Sequence, residues 1–179
     1  MPPVTIREYL KFKAPAGCRD ELVYDKSIVS PGPNPLHFEI ADNIYQLLSK
    51  ALDPRYRAAK RINLRFPAAS SMPSPDVFVI ALDAFYSALR SNAYPDGNRV
   101  ELAVEVLSSS NRKKAIQSKL DLYQEYGIEA WVVNPKSQTI EVFHHQEVLS
   151  FNLKEDKTIP LPASLAEKPL PITRIFDLG

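Results

Sequence analysis

The sequence predicts an α/β domain built on a mixed β-sheet with helices on both faces. Two uninterrupted apolar runs, Val77-Phe78-Val79-Ile80-Ala81 and Ala130-Trp131-Val132-Val133, have the pattern of strands buried on both sides. Between them, residues 100–107 alternate as a strand and are followed by a helical pattern. The order of elements, helix, strands, helix, strands, with short connections around the centre, suits a sheet sandwiched between helices.

The elements follow in order. Residues 20–30 (DELVYDKSIVS) predict a two-stranded ribbon turning near Asp25-Lys26. Asn34-Pro35 supplies a cap and a first-turn proline for a helix whose apolar face is Ile40, Ile44, Leu47, Leu48 and Ala51. Residues 62–66 alternate like a strand. Residues 82–93 carry a short helix through Leu82, Phe85, Tyr86 and Leu89. In the strand at 100–107, Val100, Leu102, Val104 and Val106 take one face, and Glu101, Ala103, Glu105 and Leu107 the other. Ser108 to Asn111 are capping residues for a helix over 112–126, with Ile116, Leu120 and Tyr123 as its stripe and Gly127 as its stop. After the strand at 130–133, Asn134-Pro135-Lys136-Ser137 turns the chain into a strand at 139–143, forming a hairpin. Residues 148–153 add an edge. Prolines 160, 162, 169 and 171 break regular structure, so residues 160–179 are expected to form an extended tail packed on a domain of residues 1–159.

Composition excludes some functions and leaves others open. The 22 basic and 21 acidic side chains give a net charge of +1, so the chain as a whole has no basic footprint for nucleic acid, although a local basic cleft remains compatible with it. The single cysteine, Cys18, cannot form an internal disulfide, and no Cys/His cluster suggests zinc. With no signal-peptide pattern at the start and no apolar run near the roughly 18 residues that span a bilayer, a cytoplasmic protein without membrane contact is expected. The phosphate-binding loop, the dinucleotide fingerprint and the Gly-x-Ser-x-Gly elbow are all missing from the sequence.

Three residues carry the candidate chemistry. Glu105 lies in an apolar strand beneath a predicted helix, where an ionised carboxylate costs several kcal/mol without a cation or hydrogen bonds. The alternative is that this face is partly wet. Asp76 opens the buried run after Pro75, where a carboxylate at a strand rim suits a partly hydrated metal, and equally suits a turn. Lys119 borders the apolar stripe of its helix and is placed either to reach the sheet rim or to lie on the surface. Glu21, His37 and Glu39 are weaker candidates, and His144-His145 reads as a loop or edge pair.

In combination these residues carry a resemblance. Pro75-Asp76-Val77, then Glu105-Val106-Leu107-Ser108, then Lys119 to Tyr123 and on to Gly127-Ile128-Glu129-Ala130-Trp131-Val132-Val133-Asn134-Pro135 resemble the Uma-type family of restriction endonucleases. That family, formerly a domain of unknown function, belongs to the PD-(D/E)xK nuclease superfamily. Glu21-Leu22, Ser30-Pro31 and His37 resemble its N-terminal pattern, so the likeness spans about residues 21–143. It implies a restriction-endonuclease-like fold and metal-dependent hydrolysis of nucleic acid, DNA first. Asp76 and Glu105, with the Val106 carbonyl, would hold Mg²⁺ or Mn²⁺, and Lys119 would supply the lysine, since Leu107 stands where the superfamily usually has it. Glu39 and His37 are further candidates for the site, Arg112 and Lys113 for the phosphate backbone, and a homodimer for the assembly. Two departures, Ala115 in place of an acidic residue and Glu129-Ala130-Trp131 in place of Glu-Tyr-Trp, suit an alternative: a lapsed nuclease fold that binds nucleic acid or protein.

Overall fold

A computed structural model describes residues 3–108, 113–145 and 147–179. A one-turn helix, α1 (Ile6–Tyr9), leads into an antiparallel ribbon of β1 (Cys18–Val23) and β2 (Lys26–Pro31) that stands apart from the main sheet. The ribbon turns at Tyr24-Asp25, one residue earlier than expected. Both residues have positive φ, and Val23 pairs with Lys26. Next comes α2 (Pro35–Ala51), with Asn34 Oδ1 accepting the His37 amide as its cap.

The central sheet follows in strict chain order: β3 (Tyr56–Ala59), β4 (Val77–Ala81), β5 (Val100–Val106), β6 (Glu129–Asn134), β7 (Thr139–His144) and β8 (Glu147–Asn152). Helix α3 (Leu82–Arg90) follows β4, and α4 (Lys113–Glu125) joins β5 to β6. Those two strands are parallel and so need a crossover, which α4 provides; the other neighbours are antiparallel. After β8 come β9 (Thr158–Ile159), β10 (Leu170–Pro171) and α5 (Ile172–Ile175).

Val77, Phe78, Val79 and Ile80 are all fully buried, because both faces of the sheet are covered. On one face Ile40, Ile44 and Leu48 of α2 pack on Val77, Val79, Val104 and Trp131, joined by Leu165, Leu170 and Ile175 from the last twenty residues. On the other, Leu120 and Tyr123 of α4 and Phe85 of α3 pack on Phe78, Ala103 and Val132. Strand alternation sorts the side chains between these two cores.

One expected strand is absent. Residues 62–66 do alternate in burial, with Leu64 and Phe66 fully buried, but Arg65 and Phe66 make only isolated bridges, to Asp96 and Ser71, and the Leu64 amide donates to the Pro73 carbonyl. The chain leaves the sheet at Arg61, whose φ of +57° breaks extended geometry. The edge strand lies just before it, at β3. The capping set Ser109 to Asn111 lies outside the described residues. Among the described residues no helix is long and apolar enough to cross a membrane.

Candidate active site

Sheet register brings the two acidic candidates together. Val77 pairs with Val104, and the Asp76 amide donates to the Val104 carbonyl at 3.1 Å. Continuing that antiparallel register sets Asp76 beside Glu105 at one end of the two central strands. Helix α4 crosses over this end. Its Lys119 Nζ lies 2.6 Å from Glu105 Oε1, and Tyr123, one turn later, donates its hydroxyl to the same oxygen at 2.8 Å.

The ribbon closes the cluster from outside the sheet. Glu21 Oε1 on β1 accepts from Lys119 Nζ at 2.8 Å and from the Ser74 amide at 2.7 Å. Arg19, two residues earlier and therefore on the same face of β1, donates Nη1 to Asp76 Oδ1 and Nη2 to the Ser74 carbonyl, both at 2.8 Å. Asp76 Oδ2 is 3.0 Å from His37 Nε2 and accepts the Val106 amide at 2.9 Å.

Burial decides between the readings left open by the sequence. Asp76, Glu105 and Lys119 are 2%, 3% and 4% exposed, so Glu105 does not face water and Lys119 is not a surface cation. Three carboxylates (Glu21, Asp76 and Glu105) meet two fixed cations, Arg19 and Lys119. Burying such a network is costly relative to an apolar core.

The environments push the carboxyls apart. Burial would raise Asp76, but the His37 hydrogen bond and the charges of His37, Arg19 and Lys119 outweigh it and hold the carboxyl well below its usual range. Burial pushes Glu105 up to about 7, Asp76 and Glu21 add to this, and Lys119 opposes it. Burial alone would lower Lys119, yet Glu105, Glu21 and Asp76 together keep it above its ordinary value, firmly an ammonium.

A cavity of about 640 Å³ opens beside this cluster, and Glu21, His37, Asp76, Glu105 and Lys119 all line it. Among the described residues, the hydrogen bonds of Glu21 and Glu105 given above all fall on Oε1. His37 Nδ1 is buried without a partner. Among the described residues no three His, Cys, Asp or Glu side chains close around one point. Hard oxygen donors in this number fit Mg²⁺ or Mn²⁺ held by one or two carboxylates with most of its water retained, rather than a closed protein cage.

Asp76, Glu105, Lys119, His37 and the Val106 backbone, all singled out from the sequence, thus converge. Glu39 does not join them: it is exposed on α2 and outside the cavity lining. Arg112 and the Lys113 side chain lie outside the described residues; Lys114 lines the cavity. Sequence reasoning passed over Arg19, whose two-residue spacing from Glu21 was the available signal, and the Tyr123 hydroxyl, hidden in an apolar stripe. His144 is elsewhere, 3.1 Å from Glu129 Oε2.

The family model for Uma2, described as "Putative restriction endonuclease", matches residues 6–172. A solved structure described as a "putative nuclease belonging to DUF820", from Anabaena variabilis, is similar with a TM-score of 0.79 and 21% identity, covering 97% of this chain and 98% of that one. At that identity the likeness establishes the shared fold. Comparison with curated proteins gives no match.

Proposed function

The chain belongs to the Uma2 family, described as "Putative restriction endonuclease", and on that premise we propose that it hydrolyses phosphodiester bonds of DNA with a divalent metal. The observation that carries this reading is the meeting of Asp76, Glu105 and Lys119, from three separate elements, on one cavity wall with little exposure. Asp76 and Glu105, with the Val106 carbonyl, would hold Mg²⁺ or Mn²⁺. When bound, such an ion supplies an acidified water and neutralises phosphate charge.

The surrounding residues have definable tasks. Arg19 and His37 keep Asp76 ionised and fixed in orientation. Tyr123 holds Glu105 Oε1 and so fixes the carboxylate's orientation. Lys119, kept protonated by its carboxylate neighbours, stabilises charge developing on the scissile phosphate. The basic run Arg112-Lys113-Lys114 would hold the backbone without reading sequence. Residues 1–159 are taken as the nuclease domain and 160–179 as its packed tail.

A second reading, a nuclease fold that binds without cutting, is favoured by one observation. Both Asp76 oxygens already accept hydrogen bonds within the protein. Incubation of supercoiled plasmid with Mg²⁺, Mn²⁺ or EDTA separates the two. Metal-dependent nicking by the wild type, lost in Asp76→Ala and Glu105→Ala, is expected. No cleavage together with no metal binding would leave the binding module.

A further inference from the structure

We propose that Arg61 is a substrate-binding residue that holds a backbone phosphate next to the scissile one, an inference that rests on the nuclease reading above. Arg61 sits just outside the catalytic cluster. Its amide donates to the Pro75 carbonyl at 3.3 Å, which fixes it one residue from Asp76. Its guanidinium carbon lies 4.4 Å from the centre of the Phe38 ring, and Phe38 directly follows His37, the partner of Asp76. Phe38 is 44% exposed, so the pair reaches the protein surface; both residues are outside the lining of the cavity itself and flank it through Pro75 and His37.

Two further features of Arg61 bear on this. Its φ of +57° is left-handed, a conformation that a long side chain adopts only under constraint and that concentrates at functional positions. Its Nε is buried without a hydrogen-bond partner, and among the described residues no carboxylate forms an ion pair with it. Asp42, whose charge it feels, is already engaged by Lys60 through Oδ1 and by Gln46 through Oδ2.

The chemistry of the gap follows. A guanidinium is permanently charged and planar, and stacking on an aromatic face orients its donors. The two cations inside the catalytic cluster, Arg19 and Lys119, are held by carboxylates. A polyanionic strand approaching that acidic centre needs a cation free of such partners, and a phosphate oxygen matches the guanidinium fork.

The test is fluorescence anisotropy of a labelled DNA duplex against salt concentration, with Ca²⁺ present. Wild type, Arg61→Gly and Arg61→Lys are compared. Glycine suits the left-handed backbone, so Arg61→Gly should keep or raise the melting temperature. It should still weaken binding by about ten- to a hundredfold and lower the slope of log Kd against log salt by about one. Arg61→Lys should recover the slope and part of the affinity. Wild-type affinity and slope in Arg61→Gly would overturn the assignment while leaving the nuclease reading intact. Weakened binding by Arg61→Gly of a wild type that binds but never cuts would support Arg61 and reject cleavage. A wild type without DNA affinity would reject both.

Discussion

Lys119→Met offers the sharpest test of the buried network. Methionine keeps most of the side chain's volume and removes only the ammonium that bridges Glu105 and Glu21. Both carboxylates line the cavity yet are largely shielded from solvent, with side chains 5% and 11% exposed, so solvent replaces little of what is lost. Breaking a buried pair by removing one partner costs about 3–5 kcal/mol. For a domain of this size each kcal/mol moves Tm by about 2–4 °C, so the melting temperature should fall by roughly 6–20 °C. Urea denaturation in EDTA at pH 8 measures this directly. The loss should shrink toward pH 5, because Glu105, already pushed to about 7 and further raised without Lys119, takes up a proton. A change under about 1 kcal/mol, the range of exposed pairs, would refute the reasoning.

Other predictions follow from the same geometry. Wild-type stability in EDTA should be pH-dependent through two opposed groups. Glu105, raised from 4.5 to about 7, contributes stability fully present below pH 4.5 and lost as pH rises through 7, a difference of about 3 kcal/mol. Asp76, held below its usual range, contributes stability present above pH 3.8 that is lost on acidification, so urea midpoints should peak between these limits and a flat profile would count against both. Mn²⁺ at about a hundred times its Kd should stabilise the wild type by about 2.7 kcal/mol and leave Asp76→Asn nearly unaffected; equal shifts in a thermal melt would mean binding elsewhere. Gly97→Ala places a methyl carbon 2.2 Å from the Phe66 ring and should cost about 1–3 kcal/mol, read by denaturation; an unchanged midpoint would show that Phe66 moves freely.

The sequence revealed elements whose burial follows a period and hid those that depend on distant partners. The strands β4, β5 and β6 and the helix α4 announce themselves through apolar runs, alternation and a terminal glycine. Strand β3 does not: Tyr-Arg-Ala-Ala carries no apolar signature, and only pairing with β4 makes it a strand. Residues 62–66 show the converse, since alternation in burial occurs there without a neighbouring strand. Asp76, Glu105 and Lys119 were recognisable from their places on predicted elements and from the family resemblance. Arg19 was not, because it meets Asp76 across 57 positions through a ribbon whose docking no local pattern encodes. Glu39 illustrates the opposite error, as two residues along α2 from His37 turn it to solvent.

The most direct test of the nuclease assignment compares Glu105→Gln with the wild type in single-turnover DNA cleavage and, in parallel, DNA binding. Glutamine keeps the shape and the Tyr123 contact while removing the charge offered to the metal. The expected result is cleavage reduced by roughly a thousandfold with DNA affinity retained. Cleavage at the wild-type rate by Glu105→Gln would contradict the assignment of this carboxylate, and with it the proposed metal site.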